Sequence, residues 1–182
     1  MKISKGQNIF LLDGDDIFNK NKIEIISKII DHKEIMILDN YFVLMNNKKL
    51  KNRYMDHEKN YLYKKIINDW PKNVCTSAIS IHRELLFEFF KEIKINKNKY
   101  LAIDILLAIY CSNKKKLLRI NKFLTSKNDI SESVDKDYNG YNNKFYWFRR
   151  LEQHKYNSFI KKKKYFNLDF FVSYIFTLFF RF

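Results

Sequence analysis

The stretch Asn8-Ile9-Phe10-Leu11-Leu12-Asp13-Gly14-Asp15-Asp16 decides the reading of the chain. Its five leading residues form a short, almost unbroken apolar run, the pattern of a buried strand, and the acids after the run sit in a turn at the strand's end. Asn19 or Asn21 follows as a helix cap, and the helix expected to about Asp31 carries Ile23, Ile26, Ile29 and Ile30 on one face. A strand, an acidic loop and a helix in this order form the basic unit of an α/β domain, in which ligand sites gather at strand ends.

The same alternation continues outward. Glu34 to Leu38 and Tyr41 to Met45 read as two strands, or as one strand bent around Asp39-Asn40, and the polar stretch Asn46 to Asn60 reads as a surface excursion. Trp70-Pro71 marks a break. Val74 to Ile81 has strand character, Arg83 to Glu92 has helical spacing at Leu85, Leu86, Phe89 and Phe90, and Lys99 to Cys111 is an apolar helix whose single acid is Asp104. Leu117 to Leu124 is a further strand. The polar segment Thr125 to Asn143, a basic helix from Phe145 to Ile160, Lys161 to Lys164 and an aromatic tail, Tyr165 to Phe182, complete the chain.

With 182 residues, 46% apolar and 17% aromatic, the chain has the material of one well-cored domain, and 3 Gly with 1 Pro excludes collagen-like and flexible-linker architectures. Its 35 Lys and Arg against 20 Asp and Glu give a formal charge of +15, which favours anionic partners. An AT-rich coding sequence produces the same enrichment in Lys, Asn, Ile, Phe and Tyr. Cys75 and Cys111 form no CxxC pair, so neither a disulfide framework nor a structural zinc is indicated, and a reducing, cytoplasmic setting fits best. The polar start from Met1 to Gln7 does not resemble a signal peptide.

Asp13, Asp15 and Asp16 repel one another unless a cation or protons neutralise them, and their hard oxygens suit Mg or Mn. A solvated turn or a helix N-terminus accounts for the same acids without a metal. The run Ile9 to Phe18 resembles the DxD strand of family 2 glycosyltransferases of the GT-A fold, and Lys5-Gly6 is similar to its lead-in.

That resemblance covers about residues 3–125 and implies a partial GT-A (Rossmann-like) mixed sheet with flanking helices. Beyond it lie a polar linker and basic helix at 126–164 and an aromatic amphipathic tail at 165–182. The family's N-terminal half has no counterpart here, so the resemblance implies a truncated catalytic domain, or one completed by another chain, with an open sheet edge.

In residue terms it implies donor binding by Asp13 and Asp15, a Mn or Mg ion at Asp15 and Asp16, and Asp104 as catalytic base. Val74 to Phe90 resembles the element before the base, which places Arg83 beside the acceptor, and Trp70 is a candidate for stacking on a sugar face. The family often has Glu-Asp where this chain has Ile103-Asp104. The implied activity is an inverting transfer from a nucleotide-sugar donor to a glycan or lipid-linked acceptor. No Q-x-x-R-W segment of processive synthases occurs, since Phe148-Arg149-Arg150 and Gln153 do not reproduce it, so single-sugar addition is expected.

Two rival readings stand beside this one. Asp13-x-Asp15 also resembles the nucleophile motif of haloacid dehalogenase-like phosphatases, although Ile17 replaces the usual Thr or Val and no later acidic metal segment is evident. A basic nucleic-acid binder would use the charge and the interspersed aromatics, but no recognised module appears and no nucleic acid is expected. The tail from Phe170 to Phe180 is too short to span a bilayer and reads either as an interfacial anchor at the inner face of the membrane or as a helix packed on the domain.

Overall fold

A computed structural model of the protein describes residues 5–30, 33–45, 48–51, 71, 74–93, 98–128, 138, 140–164 and 166–181. It is a mixed α/β fold. The elements in chain order are β1 (Asn8–Phe10), β2 (Ile17–Phe18), α1 (Lys22–Ile30), β3 (Met36–Met45), β4 (Lys48–Lys51), β5 (Ile79–His82), α2 (Arg83–Glu92), α3 (Ile103–Asn113), β6 (Leu117–Asn128), α4 (Lys144–Lys161) and α5 (Leu168–Phe179). The 3₁₀ turn Thr76–Ala78 leads into β5.

The sheet runs β1-β5-β3-β6-β2, with β4 paired to the far half of β3. Among the described residues only β3 and β6 pair in parallel, and the other pairs are antiparallel. The register of β3 against β6 slips on either side of Asn40, so β3 is one strand with an irregularity at Asp39-Asn40 rather than two strands. Its first half pairs β5 and its second half pairs β4, which curls the sheet at that point.

Alternation along β3 assigns the two faces. Met36 and Leu38 join Ile79, Ile81, Leu85, Phe89 and most of α3 in the larger core, while Ile37 faces Ile26 and Ile30 of α1 on the other side. Tyr156 of α4 belongs to the larger core and its hydroxyl donates to the Leu106 carbonyl at 3.2 Å, so α4 is a wall of the domain.

Several expectations are corrected. Lys48–Lys51, expected within a surface excursion, is a strand because it completes the open side of β3. β2 was too short to show any periodicity and exists through its pairing with Thr125 and Ser126. β6 continues four residues past Leu124 because the parallel partner β3 supplies hydrogen bonds to a polar stretch. The helix expected from Lys99 starts at Ile103, after a loop whose amides are bound elsewhere. Ile23, expected on the apolar face of α1, is 57% exposed, and the buried stripe there is Lys22, Ile26 and Ile30.

Two replacements test which face of α1 is packed. Ile26→Ala should lower unfolding free energy by about 2–5 kcal/mol, and Ile23→Ala by no more than about 0.5 kcal/mol. Urea denaturation of both variants checks this, and equal losses would mean that α1 is rotated from the position described.

Candidate functional site

β1 and β2 occupy opposite edges of the sheet, so residues 11–16 must cross from one edge to the other, and the acids lie on that crossing. The crossing is tied down at both ends. The Leu11 amide donates to the Ile79 carbonyl at 3.1 Å, and the Asp13 amide to Ser77 Oγ at 2.9 Å. At the far end Asp16 Oδ1 accepts the Asn128 amide at 2.9 Å, and its Oδ2 accepts the Cys75 thiol at 3.7 Å. Burial pushes the Cys75 thiol up to about 12, which keeps the proton it donates.

The three acids therefore separate into two kinds. Asp16 is buried and spent on holding the crossing to β6, whereas Asp13 and Asp15 are exposed. Asp13's carboxyl is raised above its ordinary value, first by partial burial and then by the charge of Asp16, with Asp15 adding to it and Thr76 and Lys127 opposing it. Of the two acids expected beside a metal, Asp15 is exposed, whereas Asp16's oxygens are engaged inside the fold, and the acid exposed beside Asp15 is Asp13.

Beneath the crossing lies a buried ionic cluster. Lys22, the first residue of α1, sends its ammonium inward, where it donates to Asp39 Oδ1 at 3.0 Å, to Thr125 Oγ1 at 2.7 Å and to the Ser77 carbonyl. Thr125 in turn donates to Asp39 Oδ2 at 2.9 Å. Both side chains of the ion pair are fully buried, and the ammonium also lies 4.3 Å from the centre of the Phe18 ring. Burial pushes the Asp39 carboxyl up to about 6 while Lys22 and Thr125 pull it back. The same burial holds the Lys22 ammonium below its ordinary value against the pull of Asp39. Ser77 links the layers, since its carbonyl accepts from Lys22 and its hydroxyl from Asp13.

Asp104 is half-buried in the first turn of α3, and its Oδ1 accepts the Ile105 amide at 2.7 Å. The C-terminal end of α3 is placed by the Lys116 amide on the Cys111 carbonyl and by the Met36 amide on the Lys116 carbonyl, at the beginning of β3 and β6. The helix is about 16 Å long, and Asp104 opens its other end. The loop before it is held by Glu152 of α4, whose two carboxylate oxygens accept the Lys99 and Tyr100 amides at 2.8 and 2.7 Å.

Arg83 is not brought to the acidic crossing. Asn8 pairs His82 and the Arg83 amide donates to the Gln7 carbonyl at 2.7 Å, so the antiparallel β1–β5 register sets Arg83 at the start of β1 and the acids at its finish. The separation along β5 is about 15 Å. Trp70 lies outside the described residues. Sequence reasoning missed Lys22, Asp39, Ser77, Thr125 and Glu152, each a common polar residue whose partner is distant along the chain.

Among the described residues no group of three or more His, Cys, Asp and Glu is arranged to hold a metal ion. Two outward carboxylates with mutual repulsion nevertheless fit a Mg or Mn ion, which takes one or two protein carboxylates and completes its shell with phosphate and water. No protein-family model matches the chain, and no curated protein matches it either.

Removing one partner of the buried cluster should be severe. Lys22→Met leaves Asp39 buried without its cation and should cost about 3–5 kcal/mol. Adding Asp39→Leu should recover a good part of that loss, because the orphaned carboxylate is gone. Urea midpoints of the single and double variants decide the matter, and a single variant within about 0.5 kcal/mol of the parent would mean that Lys22 is solvated.

Proposed function

We propose that the chain carries the acid-bearing part of an inverting, metal-dependent glycosyltransferase, which moves a sugar from a nucleotide-sugar donor to a hydroxyl of a glycan or lipid-linked acceptor. The observation that supports this reading most is the exposed acid pair: the crossing leaves Asp13 and Asp15 exposed while Asp16 is held inside the fold.

In this reading Asp13 and Asp15 hold Mg or Mn, which when bound neutralises the charge of the departing nucleoside diphosphate. Asp16 and Ser77 keep the crossing in place, so that the outward carboxylates need no rearrangement when the donor arrives. Asp104 accepts the proton of the acceptor hydroxyl as that oxygen bonds to the anomeric carbon. The bond from that carbon to the diphosphate breaks, and the diphosphate leaves with its electron pair. Glu152 positions Asp104 by fixing the loop that starts α3.

Calorimetric titration of the chain with Mn and uridine or guanosine diphosphate tests the donor side. Binding should require Mn, and Asp15→Ala should weaken it at least about tenfold, while Asp104→Asn should leave it unchanged. In a preparation that transfers sugar, Asp104→Asn should cut the rate by about 10²–10⁴-fold. Binding that ignores both Mn and Asp15 would overturn the reading, and phosphomonoester hydrolysis abolished by Asp13→Asn would transfer it to the phosphatase class.

A further inference from the structure

Helix α5 is built the wrong way round for a helix of a water-exposed surface. The side it turns towards α4 carries small polar residues, the buried Ser173 and Thr177, whose hydroxyls donate to the Asp169 carbonyl at 2.7 Å and the Trp147 carbonyl at 3.3 Å. Its outward side carries Leu168, Phe171, Tyr174, Ile175, Leu178 and Phe179, with exposures from 37% to 73%. At about 100° per residue these six fall on one stripe. The helix stays docked without burying that stripe. Asp169 receives Arg150 Nε and pairs with His154 Nε2, both at 2.7 Å, and Phe176 stacks on Trp147 with ring centres 4.4 Å apart.

A contiguous apolar stripe held outward by specific polar contacts marks an interaction surface. Its charged surroundings select the partner. Lys162, Lys163 and Lys164 are exposed just before the helix and Arg181 is exposed just after it, while the one acid of the helix, Asp169, is turned inward and paired. The surface offers apolar side chains between two cationic ends. A second copy of the chain would set cation against cation in either orientation, on a molecule already at +15. An anionic bilayer meets both features at once, since headgroups match the lysines and the acyl boundary accepts the stripe. The twelve-residue helix is about 18 Å long against a hydrocarbon core of about 30 Å, and among the described residues no helix is long and apolar enough to cross a membrane.

We infer that α5 lies in the plane of an anionic membrane surface, with Leu168, Phe171, Ile175 and Phe179 inserted below the headgroups and Lys162 to Lys164 on the phosphates. The domain is then carried on the membrane by a rigid helix docked through Asp169. This inference is independent of the proposed chemistry, since none of its residues belongs to the acidic site.

Sedimentation of the full chain with vesicles tests it. The protein should bind vesicles of equimolar phosphatidylglycerol and phosphatidylcholine and bind poorly to phosphatidylcholine alone. Replacing Phe171, Ile175 and Phe179 by Gln should weaken binding at least about tenfold, and because these side chains face outward the thermal midpoint should not fall. Replacing Lys162, Lys163 and Lys164 by Gln should weaken binding to the anionic vesicles about a hundredfold. Parental protein that stays in the supernatant, or a Gln variant that sediments as the parent does, would overturn the inference. So would a parental dimer that the Phe171, Ile175 and Phe179 variant converts to monomer.

Discussion

The ammonium of Lys22 is the point on which the rest of the structure depends. An unpaired ammonium at that depth costs several kcal/mol in lost hydration, so the position is occupied only because three oxygens converge on it. Those oxygens come from β3, from the turn before β5 and from β6, while the lysine itself starts α1. One cation therefore joins the helix of one layer to three separate pieces of the sheet, at the irregularity where β3 changes partners. Ion pairs of this kind add little net stability, and their effect lies in excluding arrangements that leave the charge unpaired.

The acidic crossing is a consequence of that cluster. Ser77 serves both, with its carbonyl on Lys22 and its hydroxyl on the Asp13 amide, so Asp13 is fixed to the same residue that solvates the buried cation. Asp16 closes the other end on β6 a few residues beyond Thr125. The crossing thereby divides a run of three acids into one that builds and two that face outward. Glu152 does a similar service for α3, holding the loop from which Asp104 emerges.

Much of this frame was legible locally, and the illegible parts share a cause. The bend at Asp39-Asn40, the helices from Arg83 and through Ile105, and the basic helix near Phe145 follow from apolar spacing, which records burial on one element, whereas the strand expected over Asn8 to Leu12 stops at Phe10 as a half-buried edge strand and leaves Leu12 53% exposed. Lys22 defeats such reading because its stem runs inward while its residue type signals solvent. β2, β4 and the last residues of β6 are polar or very short and exist through long-range pairing, which leaves no periodic trace. Asp16 could not be told from Asp15, since what distinguishes them is contact with the distant Asn128 amide and Cys75 thiol. The outward stripe of α5 was visible as an aromatic tail, and the inward spacing of Ser173 and Thr177 was the unused sign of which side faces the protein.

Amide hydrogen exchange on Lys22→Met addresses the dependence of the crossing on the cluster directly. The Asp13 and Asn128 amides bond to Ser77 and Asp16, neither of which the substitution removes. If the cluster holds the crossing, both amides should lose protection together in the variant, while the Leu106 amide on the Ala102 carbonyl in α3 is slowed as much as in the parent under conditions where both proteins stay folded. Unchanged protection at Asp13 and Asn128 would show that the crossing stands without the buried lysine, contradicting the account.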